Sequence, residues 1–295
     1  MEILPQYLVT GLVVGATYGL IALGFVLIYK ASAVLNLAQG ELVMLGAYVC
    51  FLFAVQIGIP FFAAVALTLP ASLLIGMALE RLFLRHMIGQ SLIAVIMMTL
   101  GLMVFLRGVA TWIWGANPQV YPAVFPREAL TLGNVNLSYE YVWAAGLSVL
   151  FLLIFLLFFQ FTKSGLIMRA TADDEQAAHS AGISIKSVLS MSWAIASLTA
   201  AVGGIILGCL VGLNTTIFPE YGLKVLPVVL LGGLESIPGA IIGGIVIGLS
   251  ENMAALYLEP ILGAGMKELT PYIIVLLILV IKPYGLFGLR RIERI

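Results

Sequence analysis

The chain has 295 residues, of which 62% are hydrophobic and 9% charged, and its mean hydropathy is +1.15. A soluble domain carries about 25% Asp, Glu, Lys and Arg, so 14 basic and 14 acidic side chains are too few to cover so apolar a core in water. Disorder needs low hydrophobicity and high charge and is excluded; a net charge of zero lacks the basic excess of a nucleic-acid binder. What remains is an all-α, polytopic membrane protein, read as one transmembrane domain over residues 1–295.

A helix needs about 20 apolar residues to cross a hydrocarbon core about 30 Å thick. In chain order that template predicts spans at 7–29, 36–57, 60–80, 92–113, 141–161, 188–213, 237–257 and 268–282. The opening, MEILPQYLVTGLVVGATYGLIALGF, has no basic segment ahead of a long apolar run and reads as a retained first span, not a signal peptide. A shorter apolar stretch, 222–234, holds Pro227 and the Gly232-Gly233 pair. It suits a broken or re-entrant helix, which survives only where protein or a water-filled cavity shields its backbone.

Orientation follows the Lys/Arg bias of short loops. Arg81 with Arg85, Lys163 to Lys186, and Lys282 to Arg294 are the basic segments and are placed in the cytoplasm. The loop 114–140, with Arg127 against Glu128 and Glu140, is placed outside. An outside N-terminus satisfies the first six spans. A cytoplasmic C-terminus then requires three further crossings after 188–213, for a total of about eight to ten spans with broken or re-entrant segments.

Gly11, Gly15 and Gly19 in the first span, Gly204, Gly208 and Gly212 in the sixth, and Gly239, Gly243, Gly244 and Gly248 in the seventh form small-residue stripes, which let helix backbones approach closely. They pack the bundle or line a subunit interface or gate. Asn36, Gln39, Gly40 and Glu41 open the second span; they cap it at the interface, or they line a solute path with a hinge at Gly40. Glu251 and Arg107 are charges inside spans; they pair with each other, which neutralises both, or contact solute directly, with Glu251 on the translocation pathway beside Asn36, Gln39, Gly40 and Glu41. Cys50 and Cys209 lie within predicted spans and carry neither metal-type spacing nor a disulfide framework.

The stretch 163–186, KSGLIMRATADDEQAAHSAGISIK, is the long polar cytoplasmic loop. Good helix formers run from Ala170 to Ala181, acids sit in the early turns where the helix dipole favours them, and Gly182 supplies a stop. One short surface helix is expected, of a kind that docks in a partner's groove. Nucleotide-binding, zinc-protease and serine-hydrolase motifs are absent from the sequence, His86 and His179 stand alone, and no catalytic or metal-ligating residue is assigned. The chain reads as a non-enzyme.

Four segments together resemble the membrane permease of branched-chain amino acid (hydrophobic amino acid uptake) ABC importers: NLAQGELVMLGAY at 36–48, RATADDEQAAHSAGI at 169–183, LGGLESIPGAIIGGIVIGLSE at 231–251, and KPYGLFG at 282–288. Their order and spacing cover essentially the whole chain. By this resemblance Arg169, Ala170, Asp174, Ala177, Ala178, Gly182 and Ile183 belong to a coupling helix that inserts into an ATPase. Gly232, Gly233, Pro238, Gly239 and Gly243 fall in the family's Gly-Pro-Gly run as packing or gate residues, and Asn36, Gly40 and Glu41 match its second-span opening. Gln39, Gln176 and Tyr284 depart from the pattern.

The resemblance implies the ABC importer permease fold in a bacterial inner membrane, a second homologous permease, two cytoplasmic ATPase subunits that bind ATP and Mg, and an extracytoplasmic solute-binding protein. Membrane lipid surrounds the chain, and no cofactor is expected within it. Solutes would be branched-chain or other amino acids, urea, small amides or aromatic acids, moved by alternating access. The rival is an ion-coupled secondary transporter using Glu251 and broken helices near the midplane.

Overall fold

A computed structural model describes residues 4–122, 125, 129–132 and 135–288. The first helices are α1 (Leu4–Ser32), α2 (Gln39–Phe51, extended by a π-helical turn Leu52–Gln56), α3 (Phe61–Leu82, followed by a 3-10 turn Leu84–Met87) and α4 (Leu92–Trp114). A hairpin of β1 (Ala129–Leu132) and β2 (Val135–Ser138) precedes α5 (Tyr139–Phe161). Then come α6 (Lys163–Asp173), α7 (Glu175–Ser180), α8 (Ile185–Val211), α9 (Phe218–Leu223), α10 (Val225–Gly232), α11 (Ile237–Tyr257), α12 (Glu259–Leu262) and α13 (Met266–Ile281). Among the described residues seven helical segments are long and apolar enough to cross a membrane: α1, α2 and α3 with their extensions, α4, α5, α8 and α11. They coincide with the predicted spans to within a few residues.

α1 and α8 form the buried axis, with Leu20, Ile21, Leu23, Val202, Ile205 and Ile206 all enclosed. α5 and α13 lie at the periphery and turn large apolar side chains outward, among them Leu157, Leu276 and Val280. A helix apolar on all sides is stable only where both core and surroundings are apolar, and that is the situation of these outer helices in hydrocarbon.

The small-residue stripes are contact surfaces within the chain. Gly11 and Gly15 of α1 lie against Gly244 and Gly248 of α11; a Cβ on Gly15 would stand 2.7 Å from the Gly244 carbonyl oxygen and 2.9 Å from Ile245 Cα. Gly204 of α8 meets the Val43 carbonyl of α2, and Gly76 of α3 meets the Trp193 carbonyl of α8. With lipid as apolar as the side chains, this intimate van der Waals contact holds such helices together.

The stretch 222–234 is part of a broken pass. α9 and α10 are separated by Lys224. Ahead of α9, Leu213 exchanges backbone hydrogen bonds of 2.8 Å with Gln119, and Thr215 Oγ1 donates to the Gly115 carbonyl at 2.9 Å, which places this end beside the segment that follows α4. Beyond α10, the amides of Leu286 and Phe287 donate to the Leu231 and Gly232 carbonyls at 2.8 and 3.1 Å, at the opposite end of the bundle. The segment 282–288 thereby satisfies orphan carbonyls at the end of α10. α9–α10 and the 16-residue α13 run beside α11 and fall short of the length of the seven spanning helices. Arg290, Arg291 and Arg294 lie outside the described residues.

The polar loop departs from its expected form. One helix over 170–181 was anticipated; instead α6 starts at Lys163 and the helix breaks at Asp174, whose backbone is extended (φ −152°, ψ 105°). Asp174 Oδ1 accepts from the Ala177 amide at 2.9 Å, so its carboxylate caps α7 instead of continuing α6. Asp competes for backbone donors in this way and is favoured at caps over helix interiors.

Candidate translocation site and coupling surface

Between α1 and α2 the chain turns back into the bundle. Ala33 takes a left-handed conformation (φ 53°), after which the Leu35 carbonyl accepts from Thr99 Oγ1 of α4 at 3.4 Å. Asn36 Oδ1 accepts from the Ala38 amide at 3.1 Å, an Asx turn, while its Nδ2 donates to Gln39 Oε1 at 3.1 Å. Gln39 Nε2 reaches the Ile21 carbonyl of α1 at 3.5 Å. Gly40 is pressed against the Pro219 carbonyl and Gly222 of α9. α2 therefore begins inside the bundle, alongside the middle of α1. A cleft of about 300 Å³, lined by Ser32, Asn36, Gln90, Thr99 and Trp193 among others, leads to this point from the end where α8 begins.

Two ionic clusters flank the turn. Glu41 is fully enclosed, and its Oε1 accepts from Arg107 Nη2 at 2.8 Å and Nε at 3.3 Å. On the other side Glu251, also fully enclosed, accepts from the Tyr18 hydroxyl at 3.1 Å through Oε2, and its Oε1 lies 3.6 Å from Lys224 Nζ. Lys224 in turn sits 5.2 Å from the Tyr221 ring centre. The expected Arg107–Glu251 pair does not form, because α4 packs on α2 whereas α11 packs on α1, α10 and α13. Each charge is neutralised by a closer neighbour, as low-dielectric surroundings demand.

The glycine-rich run makes the joint between α10 and α11. Gly232 and Gly239 abut backbone to backbone, Gly243 lies beneath the Val228 carbonyl, and Pro238 occupies the first turn of α11, where a missing amide hydrogen costs nothing. Gly233 has φ 103° and a Cβ there would meet the Gly288 amide nitrogen at 2.6 Å. Ser236 Oγ caps α11 by accepting from the Gly239 amide at 3.0 Å.

At the end where α6 and α7 lie, Asp174, Ala177 and Gly182 are exposed, Ala170 is half-buried and Ala178 is buried. α7 ends in a Schellman motif: the Gly182 amide (φ 86°) donates to His179, and the Ile183 amide donates to Ala178, both at 3.0 Å. Arg169 points inward. Its guanidinium donates to the Phe159 and Gln160 carbonyls and sits 5.5 Å from the Phe159 ring centre, closing the C-terminus of α5, where the helix dipole favours a cation. Arg169 thus ties α6 to a membrane-crossing helix, while Asp174, Ala177 and Gly182 form the free surface. At the other end Tyr121 donates to the Ala47 carbonyl at 2.7 Å, and burial raises its phenol well above the usual range, keeping it a donor.

Sequence reading did not single out Lys224 or Tyr18. A lysine flanked by apolar residues on both sides in GLKVLPVV is the signal that marks the first; a buried tyrosine in an apolar span gives none.

The chain matches the family described as branched-chain amino acid transport system / permease component over residues 7–281. It is 27% identical to the high-affinity branched-chain amino acid transport system permease protein LivH of Salmonella typhimurium, covering 98% of this chain and 97% of that protein. It is 26% identical to the permease protein BraD of Pseudomonas aeruginosa, again over 98% and 97%. A probable LivH of Methanocaldococcus jannaschii is 28% identical over 91% and 88%. Among solved structures, PsaBC from Streptococcus pneumoniae in complex with Fab shares the fold, with a TM-score of 0.50 at 17% identity over 97% of this chain and 94% of that one. With its seven long apolar helices and this full-length match, the chain is a multi-pass membrane protein that belongs to the branched-chain amino acid ABC transporter permease family.

Proposed function

We propose that this chain is the permease subunit of an ATP-driven importer in a bacterial inner membrane. It would take branched-chain or related amino acids, or small amides, from an extracytoplasmic binding protein and release them into the cytoplasm by alternating access. The α6–α7 surface carries this reading. It is a polar, capped helical unit at one end of an apolar bundle, anchored to α5 through Arg169 and continuous with α8 through the turn at Gly182. A push on such a unit reaches two membrane-crossing helices. The nucleotide chemistry would belong to two cytoplasmic ATPase subunits, a second, homologous permease would complete the path, and the C-terminus would share the cytoplasmic side with α6 and α7. Asn36, Gln39, Gly40 and Glu41 support a path lined by α2, since they are polar groups held deep between α1, α4 and α9.

The test is co-purification and transport. Asp174→Arg, which places a cation at the α7 cap, or Gly182→Val, which strains a left-handed residue, should weaken recovery of the ATPases while the bundle stays folded. Unchanged recovery in both variants would refute the coupling assignment. A second reading, ion-coupled transport, draws on one observation: the helix break at Lys224 faces a buried carboxylate, Glu251. Uptake that persists without ATP hydrolysis and collapses with the ion gradient would select it.

A further inference from the structure

Arg107 is the charge on an otherwise apolar outer helix, and its bonding is incomplete. A guanidinium carries five N–H donors in a planar fork that fits both oxygens of a carboxylate. Here Nε and Nη2 both go to a single oxygen, Glu41 Oε1, and Nη1 makes no hydrogen bond among the described residues. Glu41 Oε2 is buried and has no hydrogen-bond partner, so the pair is held by one oxygen and half of the fork stays open. The Arg107 side chain is 33% exposed whereas Glu41 is 0% exposed; of the pair, the guanidinium is the member open to the surroundings. Facing lipid there is costly, and a charge at this depth ordinarily lines a cavity or meets a partner.

The surroundings leave room for such a partner. A Cβ added to Gly101 or Gly108 of α4 would meet nothing within 4 Å, and Val104 and Phe105 beside them are exposed. The face thus combines an open guanidinium edge, a gap in side-chain bulk and apolar walls. We propose that Arg107 is the carboxylate-recognising station of the translocation path. Its free Nη1 edge takes the carboxylate of the passing amino acid, Glu41 remains bonded at Nη2, and Val104 and Phe105 accommodate an aliphatic side chain. The assignment rests on the importer reading given above and adds to it the residue that reads the solute's charge.

The experiment uses the complete importer in membranes, with Cys50 and Cys209 replaced by Ala and a single thiol introduced by Gly108→Cys. Its reaction with an anionic and with a cationic methanethiosulfonate of similar size is timed. The expected result is modification about fivefold faster by the anionic reagent, as one nearby positive charge in a hydrated space produces, with the bias abolished by adding Arg107→Gln. A thiol at Gly146→Cys, an exposed position on α5 with open space, is the comparison and should show no such bias. In ATP-dependent uptake, Arg107→Gln should cost about 10- to 100-fold, the loss of one charge-assisted contact, and Arg107→Lys should restore part of it. Absence of reaction at Gly108→Cys with either reagent would overturn the proposal, as would wild-type uptake by Arg107→Gln. Loss of the second permease from the purified Arg107→Gln complex would also overturn it, by assigning the open edge to a subunit contact. Uptake that does not depend on ATP would instead refute the importer reading, and the reagent bias is measured without ATP.

Discussion

The α1–α11 seam is the most exposed to a single methyl group. Gly15→Ala puts a Cβ 2.7 Å from the Gly244 carbonyl oxygen and 2.9 Å from Ile245 Cα, well inside an ordinary contact of about 3.4–4 Å. Both obstacles are backbone, so no rotamer change relieves them, and the two helices must separate by several tenths of an ångström. Overpacking of this kind costs about 1–3 kcal/mol, against which Ala in place of Gly returns up to about 1 kcal/mol of helix propensity. The net expectation is a loss of about 1–2 kcal/mol. Gly146→Ala is the internal control, since a Cβ there meets nothing within 4 Å and only the propensity gain remains. Reversible unfolding of the purified subunit in mixed micelles, titrated with SDS, measures both. Equal stability of the two variants would refute the claim that the α1–α11 contact is set by backbone approach.

Three further outcomes follow from the same geometry. Glu251→Gln leaves Lys224 charged and 15% exposed with no carboxylate beside it, and should cost about 3–5 kcal/mol in the same titration; Lys224→Met with Glu251→Gln should recover most of that, and a double variant as unstable as the sum of the singles would contradict the pairing. Asp174→Ala removes the α7 cap, worth about 1 kcal/mol, so the amides of Ala177 and Ala178 should exchange hydrogen about fivefold faster; unaltered exchange there would argue against the cap. Gly233→Ala combines a disfavoured φ of 103° with a clash at the Gly288 amide, and should loosen the segment 282–288 so that chymotrypsin cuts after Tyr284 or Phe287 more readily; an unchanged cleavage rate would sink the idea that Gly233 seats this segment.

Much of the architecture was legible because hydrocarbon imposes a simple rule of length and apolarity. The span predicted at 237–257 is α11, Ile237–Tyr257, and the apolar stretch 222–234 is broken, as its Pro227 and paired glycines suggested, between the short helices α9 and α10. The same rule is blind to charges that meet their partners within the bundle. Arg107 and Glu251 stood out as intramembrane charges, yet their partners turned out to be Glu41 and Lys224. A pattern of spans does not say which helices are neighbours, nor that residues 33–38 fold back far enough to bring Glu41 under α4. Asn36 makes an Asx turn just ahead of α2, whose N-cap position is Ala38, and it borders the cleft beside Thr99.

By itself the sequence determined that the chain lives in a membrane, where its helices cross, which segment is polar enough to meet water, and which family it resembles. These properties are local: twenty apolar residues, an acid before a helix, a glycine after one. Only the tertiary structure decided that α7 is split from α6 by its own cap, that Arg169 is turned inward onto α5, and that two buried carboxylates each take a different cation. Those outcomes depend on which backbones can approach within a methyl group of one another, and that is a property of pairs of helices distant in the chain.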